Sequence, residues 1–268
     1  MKRPVPKIPT PRWDKYVRDL SGVLAKHVVQ LFVKHQGAPK LVGSGTLVSA
    51  NDEFFLITAA HVVDPIRTGA ELFFYVATGL TQVLSGNGVL TRMPVSGDRK
   101  DDLLDIAIFK LTGPRMPPYR EVDKFPISIS AFKPHALPRD DKEYLLVGVP
   151  SSQAIPRLTD KVLRLQLYSY RNGSVPQSRY PELGIQPQTH IAIGFHQRKV
   201  MTGDGRFTNA PNPSGLSGSP LWLLYSESEM LDPLAPKIVG IVTEHKKLKH
   251  IILATDISVA MGAMQNVA

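Results

Sequence analysis

The residues best suited to chemistry lie in one short loop, 213–220, in which glycines and small side chains surround Ser217. An apolar segment, 221–224, follows directly and is typical of a buried strand. A serine hydroxyl becomes an effective nucleophile when it is exposed on a tight turn, beside backbone amides that stabilise an oxyanion. The amides of Gly215 and Ser217 are the natural donors. Taken alone, such a loop is more often an ordinary turn.

Two further residues have the chemistry that activates a serine. His61 follows the apolar segment 54–57, and small alanines beside it leave room for a substrate. A neutral imidazole there can accept the serine proton, although a lone histidine is usually structural. Asp105 lies at the start of the apolar segment 104–108, where an unpaired buried carboxylate would be costly. A hydrogen bond from a histidine ring would satisfy it and would stabilise the imidazolium.

The composition excludes several classes of protein. The chain has 268 residues and no cysteine, so no disulfide supports the fold, and we predict a cytoplasmic protein in a reducing compartment. No run of eighteen apolar residues occurs, and the basic N-terminus lacks a secretory apolar stretch, so neither export nor a membrane is expected. The net charge of +9 favours acidic partners in general. Because the basic residues are dispersed, solvated surface is favoured over a nucleic-acid patch.

The apolar pattern predicts an all-β protein from residue 27 onward, because short apolar or alternating segments are bounded by Gly, Pro, Asn and Asp. Residues 113–118 contain three prolines, which cannot continue a central strand, so they predict a linker. Four parts result: an N-terminal arm and helix (1–26), a first β-unit (27–112), a linker (113–126) and a second β-unit (127–268). The predicted strands are 28–34, 41–49, 54–59, 71–77, 104–111, 143–149, 162–170, 189–195, 219–225, 237–243 and 250–255.

Apolar residues at helical spacing predict a short helix near each end of the chain. They are Trp13, Tyr16, Val17, Leu20, Val23 and Leu24 near the start, and Ile257, Ala260, Met261 and Met264 near the end. The N-terminal helix is interpreted as packed against the core, and the C-terminal helix as closing the chain.

The three chemical segments together resemble the trypsin/chymotrypsin-type serine peptidase family. The order of His61, Asp105 and Ser217 matches, and their separations of 44 and 112 residues suit a histidine and aspartate in one barrel and a serine in the next. The segment 43–48 also looks like this family, and it is not a dinucleotide fingerprint because a third glycine is missing. The resemblance covers about residues 27–265. It implies two six-stranded antiparallel β-barrels with short N- and C-terminal helices.

The same resemblance implies a role for each site residue. His61 would be the general base, Asp105 would orient its ring, and Ser217 would attack the scissile carbonyl. The amides of Gly215 and Ser217 would form the oxyanion hole. The segment that ends at Thr243 is similar to the strand that aligns substrates in this family. Thr243 is a candidate hydrogen-bond donor to Asp105, and a threonine on an ordinary strand is an equal alternative.

The residues after the aligning segment are candidates for substrate binding. Glu244 and His245 would face the pocket, and an acidic Glu244 would favour a basic substrate side chain. A solvated hairpin that includes Lys246 and Lys247 is the favoured alternative.

Other polar residues are interpreted as structural. Asp101 and Asp102 are expected to be solvated loop residues. The histidine pairs His245 and His250, and His190 and His196, are poor metal ligands here, because no cysteine and no carboxylate lies at zinc-site spacing. We predict no metal and no cofactor.

The sequence departs from digestive members of the family at the residue before the serine. Those members have an aspartate there that pairs with a freshly cut N-terminal amine, and this chain has Leu216. Leucine cannot form an ion pair, so we expect no activation of that kind. Together with the missing disulfides, this departure favours bacterial trypsin-like peptidases, with an HtrA-like protease domain and no PDZ module.

Three functional hypotheses follow. The first is a serine endopeptidase that acts on a protein or peptide substrate through a Ser-His-Asp triad and an acyl-enzyme intermediate. The second is a catalytically weak protease-fold module that binds protein or nucleic acid, which the charge and Leu216 favour. The third is an active protease held latent until an activating protein partner or ligand orders the oxyanion loop.

Overall fold

The fold is dominated by two β-sheets. The computed structural model describes residues 11–77, 80–85, 87–111, 123–135, 137, 139–140, 142–157, 162–198, 200–201, 207–224 and 236–267. Within these ranges the α-helices are α1 (Pro11–Leu24), α2 (Ala60–Val63), α3 (Tyr180–Leu183) and α4 (Ile257–Met264). None of these helices has the length and apolarity needed to span a membrane.

The first sheet is formed by the N-terminal strands. They are β1 (Val28–His35), β2 (Ala38–Ala50), β3 (Glu53–Ala59), β4 (Leu72–Ala77), β5 (Leu80–Val83), β6 (Gly88–Leu90), β7 (Ile106–Lys110) and β8 (Ile127–Ser128). Their order is β5-β4-β1-β2-β3-β7-β6, with every neighbouring pair antiparallel, and β8 adds a short parallel pair to β2. Since β3 pairs with β7, the chain just after β3 lies beside the chain just before β7.

The second sheet is formed by six strands from the C-terminal half. The strands after β8 are β9 (Glu143–Gly148), β10 (Ala154–Arg157), β11 (Val162–Leu165), β12 (Tyr168–Gly173), β13 (His190–Gly194), β14 (Val200–Met201), β15 (Phe207–Thr208), β16 (Pro220–Leu224), β17 (Lys237–Lys246) and β18 (Ile251–Asp256). The sheet order is β12-β9-β16-β17-β18-β13. A bridge between Ser174 and Ile193 joins its two edges and closes it into a barrel. The pairs β10–β11 and β14–β15 are separate hairpins.

One apolar cluster lies between the two sheets and fixes their relative position. It includes Phe55 and Ile108 from the first sheet, Trp222 and Ile241 from the second, and Ile257 from α4. Helices α1 and α4 both pack against this cluster. Full burial of one such side chain contributes about 1.5–3 kcal/mol. The cluster therefore fixes the position of one sheet relative to the other, as a site formed between the two sheets requires.

The sequence prediction of the fold is confirmed in its main features. The protein is mostly β, with two antiparallel sheets and a helix near each end. The second sheet has the expected six strands, and the first has eight. The additional strands β5, β6 and β8 have four residues or fewer, too short for a detectable period of two. Residues 1–10 of the expected arm and most of the expected linker 113–126 lie outside the described residues.

Candidate active site

A cavity of about 540 Å³ lies where the two sheets meet. The first sheet and its loops contribute one side of the cavity, and the loop before β16 together with the end of β17 contributes the other. The predicted site residues that line it are His61, Asp105, Ser217, Thr243, Glu244 and His245. All of the side chains expected to take part in catalysis or substrate binding thus border one space.

His61 and Asp105 form the closest polar pair in the cavity. His61 lies in α2, directly after β3, and Asp105 directly precedes β7, so the pairing of these two strands brings them together. The Nδ1 of His61 donates to Oδ2 of Asp105 at 2.6 Å, and the backbone amide of His61 donates to Oδ1 at 2.9 Å. With its proton on Nδ1, the ring keeps Nε2 as a proton acceptor. The side chain of His61 is 38% exposed, so a substrate can reach it.

Asp105 occupies an unfavourable backbone conformation. Its φ is +47°, a left-handed value that costs a non-glycine residue about 1–3 kcal/mol and that is concentrated at functional sites. Burial raises the pKa of its carboxyl above the ordinary value, and the hydrogen bonds from His61 act in the opposite direction. The backbone strain and the burial of Asp105 both cost free energy, and such costs are typical of residues at functional sites.

A network of charges positions Asp105, and it corrects one expectation. The side chain of Asp102 is only 7% exposed, so its interpretation as a solvated loop residue was wrong. Its Oδ1 accepts the amide of Asp105 at 3.0 Å, and its Oδ2 accepts Nη1 of Arg99 at 2.9 Å. Arg99 also contacts Asp64, at 3.1 Å, and it accounts for the burial of Asp102. The sequence signal was Arg99 itself, three residues before Asp102 and one turn away from it.

Two glycines allow the loop that carries Ser217. Gly215 has a φ of +92° and Gly218 a φ of +91°, values that favour glycine. A Cβ on Gly218 would lie 1.9 Å from the carbonyl oxygen of Ser44, so no other residue fits there. The amide of Leu216 donates to the carbonyl of Pro213 at 3.0 Å and closes a turn with Gly215 in its third position.

The first sheet holds this loop through two hydroxyl groups that the sequence analysis missed. Ser44 in β2 donates its hydroxyl to the carbonyl of Gly215 and its amide to the carbonyl of Ser217, both at 2.7 Å. Thr46 donates to the carbonyl of Gly218 at 3.2 Å. Both side chains are fully buried. We call Ser44 and Thr46 the hydroxyl clamp. Its only sequence signal was two small polar residues on the same face of a strand.

The backbone around Ser217 leaves two amides available. Among the described residues, the amides of Gly215 and Ser217 have no hydrogen-bond acceptor, whereas the intervening amide of Leu216 does. Leu216 is 1% exposed and belongs to the apolar core of the second sheet. The residue before the serine is thus anchored by apolar contacts and not by an ion pair.

Among the described residues, the hydroxyl of Ser217 makes one hydrogen bond. It donates to the carbonyl of Thr243 at 3.3 Å, and within the described residues no hydrogen bond joins it to His61. A rotation about χ1 of the serine redirects the hydroxyl, and in free enzymes catalytic hydrogen bonds are often long or poorly aligned. In this structure His61 is therefore paired with Asp105, while Ser217 faces the same cavity with its proton directed elsewhere.

The three candidate substrate-binding residues differ in their contacts. Thr243 lies in a bulge of β17, since Val242 and Glu244 oppose adjacent residues of β18. In the part of the chain that is described, its hydroxyl makes no hydrogen bond to Asp105, so the candidate donor role is not observed. The carboxylate of Glu244 pairs with Lys246 at 2.9 Å. The His245 ring packs edge-on against Phe195, and burial lowers its pKa.

No metal site is evident within the described ranges, where no group of three or more His, Asp or Glu side chains could hold an ion. His250 stacks on the ring of His196 with 4.7 Å between centroids.

Comparison with known proteins bears on the fold. No protein-family model matches the sequence, and no curated protein matches it. The solved structure of neuropsin, described as a serine protease expressed in the limbic system of mouse brain, is similar with a TM-score of 0.57. That likeness covers 90% of this chain and 93% of neuropsin at 14% sequence identity. This chain therefore has the trypsin-like serine protease fold.

Proposed function

We propose that this protein is a serine endopeptidase that hydrolyses peptide bonds through Ser217, His61 and Asp105. The observation that carries the proposal is the His61–Asp105 pair, with its 2.6 Å hydrogen bond, across one cavity from a serine on a turn with two available amides. The trypsin-like protease fold supports the same reaction class. A structural histidine would need neither an exposed ring nor a strained, buried carboxylate beside it.

The first half of the proposed reaction is acylation. Nε2 of His61 takes the proton of the Ser217 hydroxyl as Oγ bonds to the substrate carbonyl carbon. The carbonyl oxygen becomes an oxyanion, and the amides of Gly215 and Ser217 stabilise it. The imidazolium, stabilised by Asp105, then gives its proton to the leaving amine as the carbon–nitrogen bond breaks.

The second half is hydrolysis of the acyl-enzyme. His61 takes a proton from a water molecule, the water oxygen attacks the acyl carbon, and the same two amides stabilise the second oxyanion. When the bond between the carbon and Oγ of Ser217 breaks, His61 returns its proton to Oγ. The enzyme is regenerated, and the net change is one water added across one peptide bond.

One observation favours a second candidate, a protease-fold module with weak or latent activity. The Ser217 hydroxyl donates to the Thr243 carbonyl and not to His61 in the described structure. If that arrangement persists in solution, a ligand or partner would have to turn the hydroxyl before reaction. The two candidates make different predictions for the purified protein alone.

Digestion of a peptide library tests the proposal, with cleavage sites read by mass spectrometry. We expect the purified protein to cleave peptides and Ser217→Ala to lose at least about 1,000-fold in rate. Ser214→Ala is a matched control, because Ser214 is an exposed serine three residues away in the same loop. Equal cleavage by Ser217→Ala and the parent protein would contradict the proposal. Cleavage only after addition of cell extract would favour the latent form.

A further inference from the structure

The turn between β17 and β18 carries an unusual concentration of positive charge. Lys246 is the last residue of β17, and Lys247 and Lys249 follow it. His196, two residues after β13, stacks on His250 and brings a second turn, with Arg198, beside them. We call these four cationic residues the basic tip. Glu244, which lies in β17 and pairs with Lys246, is the one carboxylate in residues 195–198 and 244–250. Lys247 and Lys249 are exposed and have no ion pair with a described carboxylate.

The basic tip is continuous with the candidate active site. Thr243 to Lys246 form the last part of β17 and line the cavity beside Ser217. Up to Ile241 strand β17 pairs with β16 on one side, but in the described residues no strand occupies that side beyond Thr243. An edge of this kind binds an extended peptide by adding a strand. A peptide bound there would lead from Ser217 directly to the tip.

The direction and reach of such a peptide follow from strand geometry. Antiparallel pairing with β17 is the more stable arrangement, and it places residues N-terminal to the scissile bond towards the tip. Strand β17 ends at Lys246, three residues beyond Thr243, which is about 10 Å at the rise of a β-strand, and Lys247–Lys249 form a 3-10 helix directly after it. The cations therefore lie opposite substrate positions four to six residues before the cleaved bond.

We propose that the free edge of β17 and the basic tip select peptide substrates with acidic residues four to six positions N-terminal to the scissile bond. This inference rests on the proposed peptidase function. The tip favours an acidic peptide over nucleic acid, because among the described residues it exposes the apolar Leu248 (93%) and no Phe, Tyr or Trp on which a base could stack, and its two imidazoles, His196 and His250, already stack on each other. Because the charges are exposed, the preference should weaken with added salt.

Binding to the Ser217→Ala protein tests this inference without requiring turnover. Fluorescent peptides that differ only in a Glu or Gln triplet N-terminal to a neutral segment would be compared by anisotropy. We expect the Glu peptide to bind about tenfold more tightly at low salt, and Lys247→Gln with Lys249→Gln to remove that advantage. Lys247→Glu with Lys249→Glu should favour a Lys-triplet peptide instead. Lys34→Gln with Lys133→Gln changes two exposed lysines on other parts of the surface and should change nothing.

Several outcomes would overturn the inference. One is equal binding of the Glu and Gln peptides. A second is unchanged binding when the Glu triplet is moved to the C-terminal side of the neutral segment. A third is tighter binding of a single-stranded oligonucleotide than of the Glu peptide at the tip. If the peptidase proposal failed instead, no peptide would be cut in a Ser217-dependent way, but peptide binding that depends on the basic tip would remain. Cleavage without an acidic preference would spare the peptidase proposal and refute this one.

Discussion

The two halves of the candidate site are held by different kinds of interaction. In the first sheet, charges position the base: Arg99 lies between Asp64 and Asp102, and Asp102 accepts the amide of Asp105. In the half that carries the serine, neutral contacts position the loop, through the hydroxyl clamp of the first sheet and the buried side chain of Leu216.

The difference matches the charges that each half would meet during the reaction. The imidazole becomes a cation, so a fixed carboxylate beside it is stabilising. The substrate oxygen becomes an anion, and the loop around Ser217 offers it two amides, while the residue before the serine, Leu216, carries no charge. We therefore expect substitutions that remove a charge to act mainly on the half of the site that carries His61. Substitutions that remove a hydroxyl should act mainly on the half that carries Ser217.

The largest effect is expected from Asp105→Asn. The substitution keeps the size of the side chain but favours the wrong tautomer of His61, so kcat should fall about 10,000-fold. Asp101→Asn, at an exposed position four residues away, is the matched control and should leave kcat unchanged. Steady-state kinetics on a peptide from the library digest measure both. A loss below tenfold for Asp105→Asn would contradict the role of the His61–Asp105 pair.

Arg99→Gln should have the next largest effect, and on stability. It leaves Asp102 buried without its cation, at a cost of about 3 kcal/mol in the free energy of unfolding. Urea denaturation followed by fluorescence measures this cost. Lys100→Gln, at the exposed neighbouring position, should be neutral. If both variants unfold at the same urea concentration, the charge network does not support the first half of the site.

Ser44→Ala tests the second half. The substitution removes the donor to the Gly215 carbonyl, which lies between the two oxyanion amides, so we expect kcat to fall about tenfold with little change in KM. Affinity for a peptide boronic acid, whose oxygen occupies the oxyanion hole, should fall in parallel, and Ser44→Thr should restore part of both.

Thr46→Val is the control for this positioning role. It removes a comparable buried hydroxyl from the same strand, but one that contacts Gly218, beyond the oxyanion amides. A merely structural clamp would show equal losses of stability in both variants and no selective loss of kcat or boronic acid affinity in Ser44→Ala.

The smallest effect concerns pH. The folded-state pKa of Asp105 is raised above its ordinary value of 3.8 by burial, so folding favours the protonated carboxyl. Its contribution to stability is then lost as pH rises through the folded-state pKa. From about pH 4 to about pH 7 the Tm of Asp105→Asn should therefore rise relative to the parent protein, by a few degrees at most. A relative fall in the Tm of Asp105→Asn over that range would show that pairing with His61 outweighs burial.

Sequence reasoning succeeded where the signal is local. Alternating segments predicted most strands, and apolar residues such as Leu20 and Ala260 at helical spacing predicted both terminal helices, of which the first packs against the core as expected. The contact from Ser44 to Gly215 spans 171 residues, and no periodicity carries such information. Asp102 was misinterpreted for a related reason, because its burial depends on a cation supplied by Arg99. A charged run in a loop is ordinarily solvated, and only the three-dimensional partner reverses that expectation.

The central claim, that Ser217 is an assembled nucleophile, is most directly tested by fluorophosphonate labelling. The purified parent protein and Ser217→Ala would be treated side by side, and the modified peptide identified by mass spectrometry. We expect modification of the parent protein at Ser217 alone and none of the variant. If the parent protein is not modified at Ser217, either alone or with cell extract added, the proposed catalytic site is contradicted.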